Sequence, residues 1–292
     1  MSPHTTADTA VPLDWQGCLV DCAGCAHAGL QATGGCAPRV ACVQDRYTRR
    51  IFTFFERNPE QADHYLDHPY FEVRALAARH VSVFRLHALL NDPEPDVRVA
   101  AVQRLPVPRI LPLRKDPERK VRAAVAQRLT GADLVPLTAD EDYYVRVVVA
   151  RRLPSDILPM MMYDRDADVR RAVARRIGDE WLMAMAWDLE AEVRLQVAVR
   201  LSPEQLVALV ADEDWRIRHV VASRAPLHRI IALATDPDDD VRARFALRKA
   251  SEELPLLVMA ARIKAAPVLS LEPASISGIS LGVMASGVRK GD

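Results

Sequence analysis

Five cysteines cluster near the start of the chain: Cys18, Cys22, Cys25, Cys36 and Cys42. The last four read C-x2-C-x10-C-x5-C. A CxxC pair bends the chain so that two thiolates meet one centre. Gly24, Gly34, Gly35 and Pro38 then let the backbone wrap closely and leave N–H groups free to bond to sulphur. An odd cysteine count, with no basic or apolar leader in MSPHTTADTAVPLDW, points to metal or redox chemistry in the cytoplasm instead of disulfides. Spacing alone leaves zinc and an iron–sulphur centre open. Zinc sites usually carry a second close pair, the gap between Cys36 and Cys42 is loose for one, and His27 could replace a ligand.

The elements that must carry this segment are written in a repeat. A Val-Arg or Ile-Arg pair recurs with a period of 24, at Val73, Val97, Val121, Val145, Val169, Val193, Ile217 and Val241. Eight copies without an insertion require each unit to stack on the last in fixed geometry, which is a solenoid. With the Val or Ile as position 0, Asp stands at −5 in seven copies (His68 in the first), and position −3 is acidic in seven. The −5 Asp predicts a helix N-cap, the Pro that follows it in three copies (Pro93, Pro117, Pro237) a first helical position, and the −3 acid a partner for the positive helix end. Pro106, Pro154 and Pro226 at +9 stop the helix near +8. Positions 0, +4 and +8 fall on one side of a helix, and their Val, Ile, Ala and Leu side chains form the core stripe. Apolar side chains at +13 and +16, such as Leu134 and Leu137, fit a turn of 3₁₀-helix.

Two arginine columns flank that stripe, one at +1 and one at +7 (Arg104, Arg128, Arg152, Arg176, Arg200, Arg224, Arg248). They read either as ladders for a polyanion or as half-buried groups paired with the Asp column one repeat away. The paired reading is favoured, because a contact required by stacking recurs in every unit whereas a specific binding site need not. Before the repeats, residues 43–57 form an amphipathic helix with Tyr47, Ile51, Phe54 and Phe55 on one side, capping the open end. Asn58-Pro59-Glu60-Gln61 matches Ser202-Pro203-Glu204-Gln205 six periods on, so the solenoid has begun by residue 58.

Lys plus Arg and Asp plus Glu balance at 39 each, which argues against nucleic acid as a partner, and no stretch is long and apolar enough to span a membrane. His4, His27, His64, His68, His80, His87, His219 and His228 recur in no constellation, and no Ser or Cys nucleophile signature appears, so no enzyme is expected. Cys18, Cys22 and Cys25 do spell C-x3-C-x2-C, which looks like the triad of radical S-adenosylmethionine enzymes with one open iron. Such enzymes need a large βα fold, and here helical repeats follow soon after the triad.

The cysteine run, Asp45-Arg46-Tyr47 and the Asp…Val-Arg…Arg-Leu repeat together resemble the leucine-rich repeat variant iron–sulphur proteins over residues 14–264. That resemblance implies an all-α, right-handed superhelical solenoid of alternating α- and 3₁₀-helices, fronted by a small domain holding a [4Fe-4S] cluster. Its ligands would be Cys22, Cys25, Cys36 and Cys42, with Cys18 matching no position, and it implies no reaction. The expected organisation is a disordered leader over 1–13, a cysteine-rich domain with its capping helix over 14–57, eight repeats over 58–264, and a cap or tail over 265–292. The expected role is a scaffold for an unknown protein partner, with a structural or redox-sensing cluster. Specificity would be written at the least regular columns, +2 and +6.

Overall fold

The computed structural model describes residues 11–265, with side chains through residue 253. Most of the leader expected over 1–13 and all but the first residue of the tail expected over 265–292 lie outside the described residues. Residues 12 and 13 already belong to the cysteine-rich segment: the Pro12 carbonyl accepts from the Val20 amide and the Leu13 carbonyl from the Arg46 amide.

Among the described residues, nine α-helices of more than one turn follow one another: α1 (Thr48–Arg57), α2 (Phe71–Ala77), α3 (Pro95–Arg104), α4 (Arg119–Arg128), α5 (Tyr143–Ala150), α6 (Ala167–Ala174), α7 (Ala191–Arg200), α8 (Trp215–Arg224) and α9 (Asp239–Ala265). Between them run 3₁₀ segments, among them Pro59–Tyr65, Val83–Asn91, Gly131–Ala139 and Ile231–Thr235, some led by a single α-turn such as Pro203–Leu206. Successive helices pack side by side, and among the described residues there is no strand, only three isolated bridges in the cysteine-rich segment. The alternation has a physical cause. Position 0 is fully buried in all eight units, and in the first seven the side chains at +4, +8, +13 and +16 meet it in one continuous core. Burying that stripe, at roughly 25 cal/mol per Å² of apolar surface, is what binds each unit to the next.

The helix start differs from its expected place. Each repeat helix begins at −2, so in six of them the N-cap is the −3 acid (Glu94, Glu118, Asp142, Asp166, Glu190, Asp214), not the −5 Asp, and in the first it is Tyr70. The −5 carboxylate instead accepts the amide two residues on, 2.9 Å from Asp92 to Glu94 and again from Asp116 to Glu118. That turn aims its oxygens across the repeat boundary. There the +1 arginine of the preceding unit binds both: Arg98 Nε and Nη2 each lie 2.8 Å from Asp116, and Arg146 lies 2.8 and 2.9 Å from Asp164. The same fork joins Arg74 to Asp92, Arg122 to Asp140, Arg170 to Asp188, Arg194 to Asp212 and Arg218 to Asp236. Nη1 of each arginine donates back to the −5 carbonyl of its own unit, as Arg146 does to Asp140 at 2.8 Å. Every face of the guanidinium is used, which is what a buried charge requires.

The +7 column works differently. Arg104 donates to the carbonyls of Ala78 and Val81, Arg176 to Ala150 and Leu153, and Arg248 to Ala222 and Ala225. These carbonyls sit at the C-terminal end of the preceding helix, where they lack intrahelical donors and attract a cation. Both columns are therefore part of the frame.

Candidate metal centre

The cysteine-rich segment has little regular structure, and its path is set by turns. Asp14 Oδ1 accepts the amides of Gln16 and Cys18 at 2.9 and 2.8 Å, with Gly17 at φ +88°, so Cys18 sits exposed on a tight turn. Asp21 Oδ1 accepts the amides of Ala23 and Gly24 and closes the CxxC turn. Past it the His27 amide donates to Cys25 Sγ at 3.4 Å, the kind of N–H···S contact that stabilises a thiolate. The chain then returns through the 3₁₀ turn Ala28–Gln31, whose Leu30 carbonyl takes the amides of Gly35 and Cys36.

Gly35 is where this segment meets the solenoid. A Cβ there would lie 2.5 Å from Asn58 Oδ1. Asn58 is buried, and its side-chain amide donates to the carbonyls of Gly35 and Phe54 at 2.8 Å each, joining the loop to the end of α1. Arg57 adds a bond to the Gly34 carbonyl at 3.0 Å. After the Ala37–Ala41 bridge, the Cys42 amide donates to the Arg50 carbonyl at 3.1 Å and the Asp45 carboxylate meets Arg50 at 2.7 Å in full burial. On α1, Ile51, Phe54 and Phe55 are buried as expected, whereas Tyr47 is the exposed residue preceding the helix.

The five cysteines differ in burial. Cys36 and Cys42 are buried, Cys22 and Cys25 half-buried, Cys18 exposed. Burial pushes the Cys36 thiol up, and negative charge on Cys25 and Cys22 pushes it further. Burial raises Cys42 to about 11, with Cys36 adding to it, although the amides of Gln44 and Asp45 bond to its sulphur. Tyr65 is raised to about 12 by burial and then by Cys25, Cys42 and Cys36. Cys36 therefore lies within electrostatic reach of Cys22, Cys25 and Cys42, with Tyr65 beside them, and thiolates so placed repel one another unless a cation lies between them. A metal centre supplies that positive charge.

Among the described residues, no three His, Cys, Asp or Glu side chains converge tightly enough to hold one metal ion. His27, the alternative zinc ligand, is engaged elsewhere. Its Nε2 bonds to the Tyr65 hydroxyl, and its ring packs against Phe54 with centroids 5.0 Å apart. These contacts, with Asn58 and the Asp45–Arg50 pair, are invisible in the sequence, since each occurs once and no period repeats it.

Comparison with known proteins bears on the fold and on this segment. A solved structure described as a leucine-rich repeat variant with a novel repetitive protein structural motif superposes with a TM-score of 0.72 at 39% identity, covering 78% of this chain and 97% of that one. The chain belongs to the leucine-rich repeat variant family. The right-handed superhelix of alternating α- and 3₁₀-helices is that family's fold. Residues 12–64 match the family described as the LRV protein FeS4 cluster, so the N-terminal segment of this leucine-rich repeat variant is an iron–sulphur domain. A further relative, from Rhodobacter capsulatus, is an uncharacterized 27.7 kDa protein in the nifB 3' region. It is 50% identical over 84 residues, which span 29% of this chain and only 34% of that protein's length.

Proposed function

We propose that this leucine-rich repeat variant is a cytoplasmic interaction scaffold with no enzymatic activity of its own, capped by a [4Fe-4S] cluster on Cys22, Cys25, Cys36 and Cys42. The observation that carries the scaffold reading is the division of labour among the arginines. Both regular columns, +1 and +7, are consumed by contacts between units. The face left to solvent is formed mainly by positions −1 and +6, with the half-buried to buried +2 side chains between them, and its residue types vary from helix to helix, for example Arg175, Val199 and Leu247 at +6. Variation on a fixed frame is what a recognition surface needs. No helix among the described residues is long and apolar enough to cross a membrane.

For the cluster, four protein thiolates would leave no iron open to substrate, which favours a structural or redox-sensing role over catalysis. The buried His27–Tyr65–Phe54–Phe55 packing connects the cysteine site to α1 and so to the first repeat. A change in cluster oxidation or integrity would be felt there first. Anaerobic oxidation and reduction followed by hydrogen exchange tests this. The sensing role expects altered protection confined to α1 and α2, and a purely structural cluster expects none.

A further inference from the structure

The grooves between adjacent helices on the variable face are not electrostatically alike. Between α2 and α3, Arg79 shares its groove with Glu72 and Asp96. Between α8 and α9, Arg216 is taken by Asp214 and Glu192, and Arg244 donates to Ser223 across from Asp240. The groove between α5 and α6 differs. It encloses 160 Å³, its floor is buried Val147 and Ala172, and its walls carry Arg151, Arg171 and Arg175 against the single carboxylate of Asp168. Arg171 bonds to Asp168 at 2.6 Å, and Arg175 reaches only the neutral Gln196 at 3.0 Å. The Arg151 guanidinium has no partner among the described residues. Tyr143 and Tyr144 close the other end, 44% and 46% exposed.

Arg151 and Arg175 both occupy position +6 in consecutive units, so they project from neighbouring helices into the same groove. Neither belongs to the columns that hold the frame together. Two guanidiniums without a carboxylate partner, above an apolar floor and beside two phenols that can donate hydrogen bonds or stack, are complementary to carboxylates on a short extended segment. We infer that the α5–α6 groove is the docking site for an acidic segment of a protein partner, with Arg151 and Arg175 as its carboxylate anchors and Tyr143 and Tyr144 as its aromatic edge. This deepens the scaffold reading and rests on it.

The probe is fluorescein-labelled hexaglutamate, titrated by anisotropy into the full-length cluster-loaded protein at physiological salt. The groove expects saturable binding, weakened about tenfold or more in Arg151→Ala/Arg175→Ala and unchanged in Arg79→Ala, as losing charge-assisted hydrogen bonds requires. Circular dichroism and cluster absorbance of the double variant should match wild type, because both side chains are exposed. Equal binding by wild type and double variant would overturn the assignment, and so would tighter binding of a single-stranded oligonucleotide of equal charge. Photo-crosslinking in cells, from position 175 and from position 247 in the α8–α9 groove, separates this failure from that of the scaffold. Protein adducts at 247 alone, with no hexaglutamate binding, sink the groove and keep the scaffold. Adducts at neither position, with no hexaglutamate binding, sink both.

Discussion

The repeat array and the cysteine domain are held together in opposite ways. In the array the same contacts are made over and over: a Val or Ile at position 0, an arginine fork on the next unit's Asp, a second arginine on the previous helix end. Each is one of several, and stability is close to a sum over neighbours. In the cysteine domain each contact is made once, by Gly35 against Asn58, by Asp45 with Arg50 and by His27 with Tyr65. Among its described residues no apolar layer is comparable to the array's, and its path is set by turns. Redundancy makes the first region tolerant of local damage, and its absence makes the second a candidate for sensing.

The contrast is tested hardest where the array is strongest. Arg146→Ala leaves Asp164 buried without its partner and should lower stability by about 3 kcal/mol, seen as a lower denaturant midpoint. A near-neutral change would mean the ladder is ornamental and would return the polyanion reading. Gly35→Ala probes the other region. The new methyl collides with an Asn58 already fixed by two bonds, so a loss of about 1–3 kcal/mol is expected. That loss should be confined to the N-terminal end in hydrogen exchange.

Acid should act mainly on the array. Asp236 is held below the usual carboxylate range, first by its hydrogen bonds from Arg218. Burial pushes Asp188 up, but bonds from Arg170 and the Glu190 amide outweigh it and leave it lowered as well. A folded-state pKa below the unfolded one gives stability that is complete above about pH 4 and disappears as the pH falls through the folded values. Thermal melts should therefore be level from neutral pH down to roughly that point and drop steeply below it. The smallest change belongs to the end of the ladder. Position 260, one period beyond Asp236, is alanine, so the column offers Arg242 no carboxylate, and its ion pair with Asp239 is exposed. Arg242→Ala should cost under about 1 kcal/mol. A cost equal to that of Arg146→Ala would contradict the cross-repeat fork as the source of the larger effect.

The two regions are unequally legible in the sequence for the same reason that they are unequally redundant. Positions 0, +4 and +8 declare the core because stacking repeats one environment eight times. The Asp at −5 is visible as the arginine's partner, but its local signature is shared by N-caps and by turns closed on the second amide, so it places the helix start too early. The +7 arginines look like a second copy of the +1 column because a backbone carbonyl, their actual acceptor, leaves no mark in a sequence. In the cysteine domain the four-thiol set follows from resemblance, not spacing. The contacts made by Asn58, Asp45 and Tyr65 give no signal, since a contact between distant residues that happens once has no period to reveal it.

That four cysteines hold a cluster with Cys18 outside it is tested most directly by counting iron and acid-labile sulphide in anaerobically purified protein, wild type beside Cys18→Ala, Cys36→Ala and Cys42→Ala. About four irons per chain and brown absorbance are expected in wild type and Cys18→Ala alike. Both should be lost in the Cys36 and Cys42 variants while the helical circular dichroism of the repeats persists. Full iron in the Cys36 and Cys42 variants, with loss in Cys18→Ala, would contradict this assignment and place the centre on Cys18, Cys22 and Cys25 with one iron open.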